Sequence, residues 1–359
     1  MWVIILLRKV FTVFACFLFI VPYNVYAADN SAVSAIVMDL DSLEVLYKKN
    51  QYEERSIAST TKIMTALLAL ESGRLNEAVC ITSGSTDVEG SALGLKAGDI
   101  LTLHDLVIGM MLTSGNDAAN AVAYFLSGDV KSFCNLMNNR AEEIGVKNTY
   151  FVTPSGLDEG NHHSTAYDMA ILTAYALKND DFVNICSLKS AQIKINDEIH
   201  TIYNHNKLLN VDDNYIGVKT GFTEKAGRCL VSAKRYKGNT IICVTLCCPN
   251  DWEDHVSLIN EAQKKYKKAS ISNTVKIDAV GGEKKSITAK YSTELYLLGD
   301  AYVEEYYYPF VYADVKKGDV VGTAYVYYKN ILKERLPIEA DEDLNYVKQQ
   351  FTETSKVYG

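Results

Sequence analysis

An α/β domain followed by a small all-β domain is the fold class that the sequence predicts. Three observations carry it. Helical periodicity is concentrated between about residues 59 and 178. β-prone runs flank that segment on both sides, so its sheet joins chain-distant pieces. Past about Ser270 the composition shifts to Tyr- and Val-rich runs separated by Gly-containing turns. At roughly 100–200 residues per domain, a chain of 359 residues also suits two domains.

The chain opens on a targeting pattern. Arg8 and Lys9 precede an apolar run from Val10 to Pro22, then the small-residue site Val25-Tyr26-Ala27 and the polar Asp29-Asn30-Ser31. That is the order of a secretory signal, so residues 1–27 are read as a signal peptide and the protein as exported. The run is short for a membrane span. An uncleaved anchor is the alternative, because Trp2–Leu7 is apolar as well.

Residues 28–270 are expected to form the α/β domain. Ser34–Asp39 and Val45–Lys48 read as a hairpin around Asp39-Leu40-Asp41-Ser42. Ser59-Thr60-Thr61 then starts a helix that Gly73 closes, apolar nearly all round and therefore central and buried. Leu103–Leu112 and Ala118–Leu126 are helical around the turn Thr113–Asp117, and Val130–Ile144 and Thr165–Lys178 follow. Ile216–Thr220, Cys229–Ala233 and Thr240–Cys247 read as strands, and Val256–Lys267 as a closing helix. The all-β domain is expected over 273–338, with strands at Ala289–Leu297, Tyr302–Tyr308 and Val320–Tyr328. In the tail, 339–359, Leu344, Val347 and Phe351 fall on one helical stripe, which predicts a weak amphipathic helix. Five acids against two Lys give that tail the wrong sign for anionic lipid.

Composition excludes some functions. A formal charge of −8 with no basic stripe speaks against nucleic acid. Of eight Cys, Cys16 lies in the signal, and the odd seven that remain make no disulfide framework. No His stands at a zinc-finger spacing from Cys247-Cys248, so no metal is expected. His162-His163 reads as a polar pair in a loop.

Three short elements carry chemistry: Ser59-Thr60-Thr61-Lys62, Ser114-Gly115-Asn116 and Lys219-Thr220-Gly221. On a helix, positions i and i+3 share a face, so the Lys62 amine comes close to the Ser59 hydroxyl. A Ser hydroxyl needs a base to become a nucleophile. A Lys serves as that base once burial and a nearby positive charge lower its pKa; the apolar helix offers the first and Lys219 the second. Ser114 can relay a proton, and Asn116 can hold a substrate amide while touching Lys62. A strand carrying Lys219 can pair with an extended peptide, and Gly221 leaves room for its backbone. The N–H groups of Phe222 and Ser59 are candidates for an oxyanion hole. Each element alone is weak; their order and spacing together are strong.

That ordered trio resembles penicillin-binding proteins and serine β-lactamases. The text around it, Ile57–Thr65, Ser114–Ala118, Thr153–Asp158 and Gly217–Thr223 through Ala226-Gly227, is similar to low-molecular-mass D-alanyl-D-alanine carboxypeptidases. Asn206–Leu209 and Asn250–His255 resemble their Gram-positive, spore-former-type members. The resemblance implies a penicillin-binding/β-lactamase-like domain, a mixed antiparallel sheet with a helical cluster. It implies a carboxypeptidase with Ser59 as nucleophile, Lys62 as base, and Ser114 and Asn116 as proton relay and amide binder. Lys219, Thr220, Gly221 and Phe222 would bind substrate. Some relatives carry an Arg near the Asn250–His255 run where Trp252 stands here, which leaves the carboxylate to Lys219 and Thr220. No cofactor is implied. The partners implied are peptidoglycan stem peptides as substrate and β-lactams as inhibitors, at the outer face of the cell membrane or in the wall. A peripheral membrane contact through the C-terminus stays open. The alternatives are a DD-transpeptidase, a β-lactamase, and a catalytically silent penicillin-binding wall protein.

Overall fold

A computed structural model describes residues 30–348. The signal peptide read at 1–27 and the tail beyond 348 lie outside the described residues.

β1 (Ser34–Asp39) and β2 (Val45–Lys49) form the expected hairpin. A 3-10 turn, Ala58–Thr61, leads into α1 (Lys62–Glu71), of which only Glu71 escapes burial. β3 (Ala78–Cys80) pairs with β4 (Ile100–Thr102), with a single turn, α2 (Ser83–Thr86), between them. The helical cluster continues with α3 (Leu103–Thr113), α4 (Asn116–Ser127), α5 (Val130–Ile144), α6 (Ala166–Ala176) and α7 (Asp180–Cys186). A hairpin of β5 (Ser190–Ile195) and β6 (Glu198–Tyr203) follows. Then come β7 (Tyr215–Thr223), β8 (Gly227–Tyr236), β9 (Asn239–Leu246) and α8 (Asp251–Gln263).

The main sheet is antiparallel throughout, in the order β2-β1-β9-β8-β7. Successive side chains of a strand point to opposite faces. Ile36 and Met38 of β1, Val231 of β8 and Val244 of β9 therefore meet the helical cluster around α1. Ala35, Val37, Leu230 and Cys243 meet Leu258 and Ile259 of α8 on the other face. Burial on both faces is why these strands read as unbroken apolar runs. β7 ends the sheet on the side of the 3-10 turn. The seven described cysteines are free thiols.

α8 starts five residues before the Val256 expected for it. Asp251, Glu253 and Asp254 stand in its first turn, where negative charge suits the helix dipole. The second sheet contains β10 (Lys267–Val280), β11 (Ser286–Leu297), β12 (Tyr302–Tyr307), β13 (Phe310–Tyr312), β14 (Val320–Tyr328) and β15 (Ile331–Ala340). Their order is β12-β14-β15-β11-β10-β13, and only β10 and β13 run parallel. β10 runs unbroken through the boundary expected between 270 and 273. The amphipathic helix expected for the tail does not form in its described part. Leu344 and Tyr346 make isolated bridges to Val315 and Gly282, and Leu344 is fully buried in the second sheet's core. An apolar side chain with a core pocket to fill overrides a weak helical stripe. Among the described residues no helix is long and apolar enough to cross a membrane.

Candidate active site

The 3-10 turn presents Ser59 at the head of α1, and Lys62 follows one turn on. The Lys62 amine is fully buried and has three neighbours: Ser59 Oγ at 2.8 Å, Asn116 Oδ1 at 2.7 Å and the Ser155 carbonyl at 2.7 Å. The last two can only accept, so they occupy two N–H groups. In a neutral amine the remaining position is the lone pair, and it faces the Ser59 hydroxyl. Burial and then the Lys219 charge push the Lys62 pKa far below the usual lysine range, against a partial pull upward from Asp117.

Asn116 and Ser114 reach the site from the junction of α3 and α4. Ser114 holds a left-handed backbone, φ 62°, which costs a non-glycine residue of order 1 kcal/mol and directs its side chain into the groove. Asn116 Nδ2 donates to the Glu89 carbonyl at 2.6 Å, and its backbone N–H donates to that of Ser91 at 2.8 Å. The buried Asp117 carboxylate accepts the N–H groups of Leu93, Gly94 and Leu95. Two consecutive residues thus fix the 89–95 loop beside the groove.

β7 supplies the opposite wall. Its Lys219 is 1% exposed, and its amine donates to the Thr220 carbonyl at 3.1 Å. Burial lowers its pKa to about 7. Gly221 passes so close to the 3-10 turn that an added Cβ would lie 3.1 Å from the Ser59 nitrogen. Thr220, Gly221 and Phe222 line a groove of about 350 Å³ together with Ser59, Ser114 and Asn116. Lys62 and Lys219 lie behind that lining. All eight residues singled out from the sequence therefore meet at one place.

A family model described as D-alanyl-D-alanine carboxypeptidase, peptidase S11, matches residues 22–250. The chain belongs to this family. DacF of Bacillus subtilis, a D-alanyl-D-alanine carboxypeptidase, is 37% identical over 216 residues, 58% of this chain and 55% of DacF. DacB2 of Mycobacterium tuberculosis, of the same description, is 36% identical over 60% of this chain and 74% of its own length. The chain thus spans about half the length of the Bacillus relative. Among solved structures, a variant of the DD-transpeptidase from Streptomyces K15 has a TM-score of 0.63 at 32% identity, covering 65% of this chain and 98% of that one. DacD of Francisella tularensis has a TM-score of 0.61 and covers 89% of this chain and 95% of that one. At 24% identity it shows likeness of fold alone.

Within this S11 site, three contacts escaped the sequence. His162, read as part of a polar loop pair, is buried under the 3-10 turn. Its Nδ1 accepts the Val152 N–H at 3.0 Å, so its Nε2 carries the proton and donates to Thr61 Oγ1 at 2.8 Å. Burial lowers its pKa to about 4, which keeps it neutral. Gly156, at φ 87°, lies against the turn, and a Cβ there would fall 1.9 Å from the Ala58 carbonyl oxygen. Arg228 of β8 opens onto the groove, held by Asp251 and beside Trp252. A Gly in a Pro-Ser-Gly stretch was a legible signal. Contacts from a neighbouring strand, such as that of Arg228, leave no local pattern.

Proposed function

We propose that this protein is a serine-type D-alanyl-D-alanine carboxypeptidase that removes the terminal D-alanine from peptidoglycan stem pentapeptides through an acyl-enzyme on Ser59. The single observation behind the reading is the buried Lys62 amine, 2.8 Å from Ser59 Oγ.

Substrate pairs as an extended strand along the edge of β7. Ser59 Oγ attacks the carbonyl carbon of the penultimate D-alanine while its proton passes to Lys62 Nζ. The N–H groups of Ser59 and Phe222 receive the oxyanion. The proton then moves through the Ser114 hydroxyl to the leaving amine, and the C–N bond breaks. Asn116 orients the substrate amide and holds Lys62. Water attacks the ester with Lys62 again accepting a proton, and the Ser59 hydroxyl re-forms. Penicillin inhibits by acylating the same oxygen and leaving slowly. Residues 1–27 direct export, so the reaction belongs to the outer face of the membrane or the wall.

Intact-mass analysis after penicillin treatment tests the reading, with peptide mapping of the adduct and release of D-alanine from a pentapeptide. Addition of one penicillin mass at Ser59, with both signals lost in Ser59→Ala, is expected. D-alanine release by Ser59→Ala at the unaltered rate would refute it. Transpeptidation is the second reading, favoured by the likeness to the Streptomyces DD-transpeptidase. A cross-linked product in the presence of an added amine would select it.

A further inference from the structure

The groove holds one side chain whose shape and charge suit a carboxylate and which the mechanism above does not use. Arg228 is the second residue of β8 and stands opposite Phe222 of β7 in the register of the two strands, lining the groove. Its Nε and Nη2 both reach Asp251 Oδ1 at 2.9 Å. Asp251 is the first residue of α8, and its side chain is only 3% exposed. The guanidinium lies 5.8 Å from the Trp252 ring centroid. Half of the fork is thus fixed on a buried carboxylate and an indole, while Nη1 has no protein acceptor among the described residues. The side chain remains 42% exposed, toward the groove.

Lys219 is differently placed. It is buried behind the groove lining, and one of its N–H groups is engaged by the Thr220 carbonyl. A guanidinium keeps its charge at any pH at which a protein works and binds carboxylates with two parallel N–H groups, which an ammonium does not. We infer that Arg228, positioned by Asp251 and Trp252, binds the C-terminal carboxylate of the substrate, and that Lys219 is thereby released from substrate anchoring to hold and pass charge beside Lys62. This rests on the carboxypeptidase reading proposed above. It departs from the expectation that Lys219 and Thr220 hold the carboxylate: the cation that faces the groove comes from β8, beside Trp252.

The experiment compares a diacetyl-lysyl-D-alanyl-D-alanine peptide with a free carboxylate against the same peptide as its C-terminal amide. It is run on the full protein, Arg228→Gln, Arg228→Lys and Ser59→Ala. Arg228→Gln is expected to lower kcat/KM for the free acid roughly 10- to 100-fold, mainly through KM, and to leave the amide unchanged. Arg228→Lys should fall between, since charge without the fork recovers only part of the binding. Unaltered preference for the acid in Arg228→Gln would overturn the inference and return the carboxylate to Lys219. Equal loss on both substrates would overturn it as well, by showing a purely structural role. The acylation rate of Ser59 by penicillin and by penicillin methyl ester gives the same comparison without turnover. Full activity of Ser59→Ala would sink the underlying reading instead, and the acid-to-amide ratio would still report on Arg228.

Discussion

Lys62 Nζ lies 2.8 Å from Ser59 Oγ while Asn116 Oδ1 and the Ser155 carbonyl, which can only accept, hold its other two bonds. The amine is aimed before substrate arrives, and α1 needs no rearrangement to use it.

Lys62→Ala should slow acylation of Ser59 by penicillin roughly 10²–10⁴-fold, the usual share of a positioned base. Lys62→Arg should do no better, because a guanidinium does not surrender its proton. In the wild type the base must be neutral, and its pKa is displaced downward. The acylation rate should therefore rise with pH through an ionisation well below the ordinary lysine range. Stopped-flow acylation across pH checks this; a rate that climbs only above pH 10 would contradict it.

Gly156→Ala would place a methyl 1.9 Å from the Ala58 carbonyl oxygen and force a non-glycine residue to φ 87°. Destabilisation of roughly 2–4 kcal/mol is expected, together with slower acylation, because the displaced atom belongs to the turn that presents Ser59. Urea unfolding and penicillin labelling measure the two effects.

His162 is neutral in the fold, with its pKa lowered from 6.5 to about 4. The unfolded chain takes up its proton first, so this stabilisation is complete above pH 6.5 and declines as pH falls toward 4. The loss is roughly 3 kcal/mol at pH 4 for a group so buried. His162→Gln keeps a donor for Thr61 and an acceptor for Val152 but does not titrate. Its deficit in Tm should be largest at pH 7 and shrink toward pH 4. A constant difference between the two melting curves would rule out the linkage.

Much of this was legible in the residues. α1 announced itself by being apolar all round, and Ser59, Lys62, Ser114, Asn116 and Lys219 by order and spacing. The β5–β6 hairpin turns on Asn196 and Asp197, which both take left-handed φ in a two-residue turn, for which their side chains are suited. β10 is hard to read locally, because its Lys- and Ser-rich alternation resembles a linker until it is paired with β11. Arg228 gains its setting from Asp251 and Trp252, some 23 residues away in the chain, and no local pattern encodes such a distance.

Leu344→Ala should cost roughly 2–4 kcal/mol, since its side chain is fully buried in the second sheet. Penicillin acylation of Ser59 should keep its rate, because Leu344 makes no contact with the groove lining. Loss of stability without loss of acylation rate is the outcome that separates the two sheets' roles.

β10 begins four residues after α8 ends and continues for 14 residues, a contour of about 45 Å. Lys333 bonds to Asp41, and Lys329 and Tyr328 to Glu44, so the second sheet is also braced against the turn between β1 and β2. The second sheet is thus attached to the first at two separated points, one covalent and one polar. At the far end of β10, Phe310 and Tyr312 stand opposite Asp278 and Val280, and both rings are exposed, so the two attachments leave an aromatic edge open to solvent away from the first sheet.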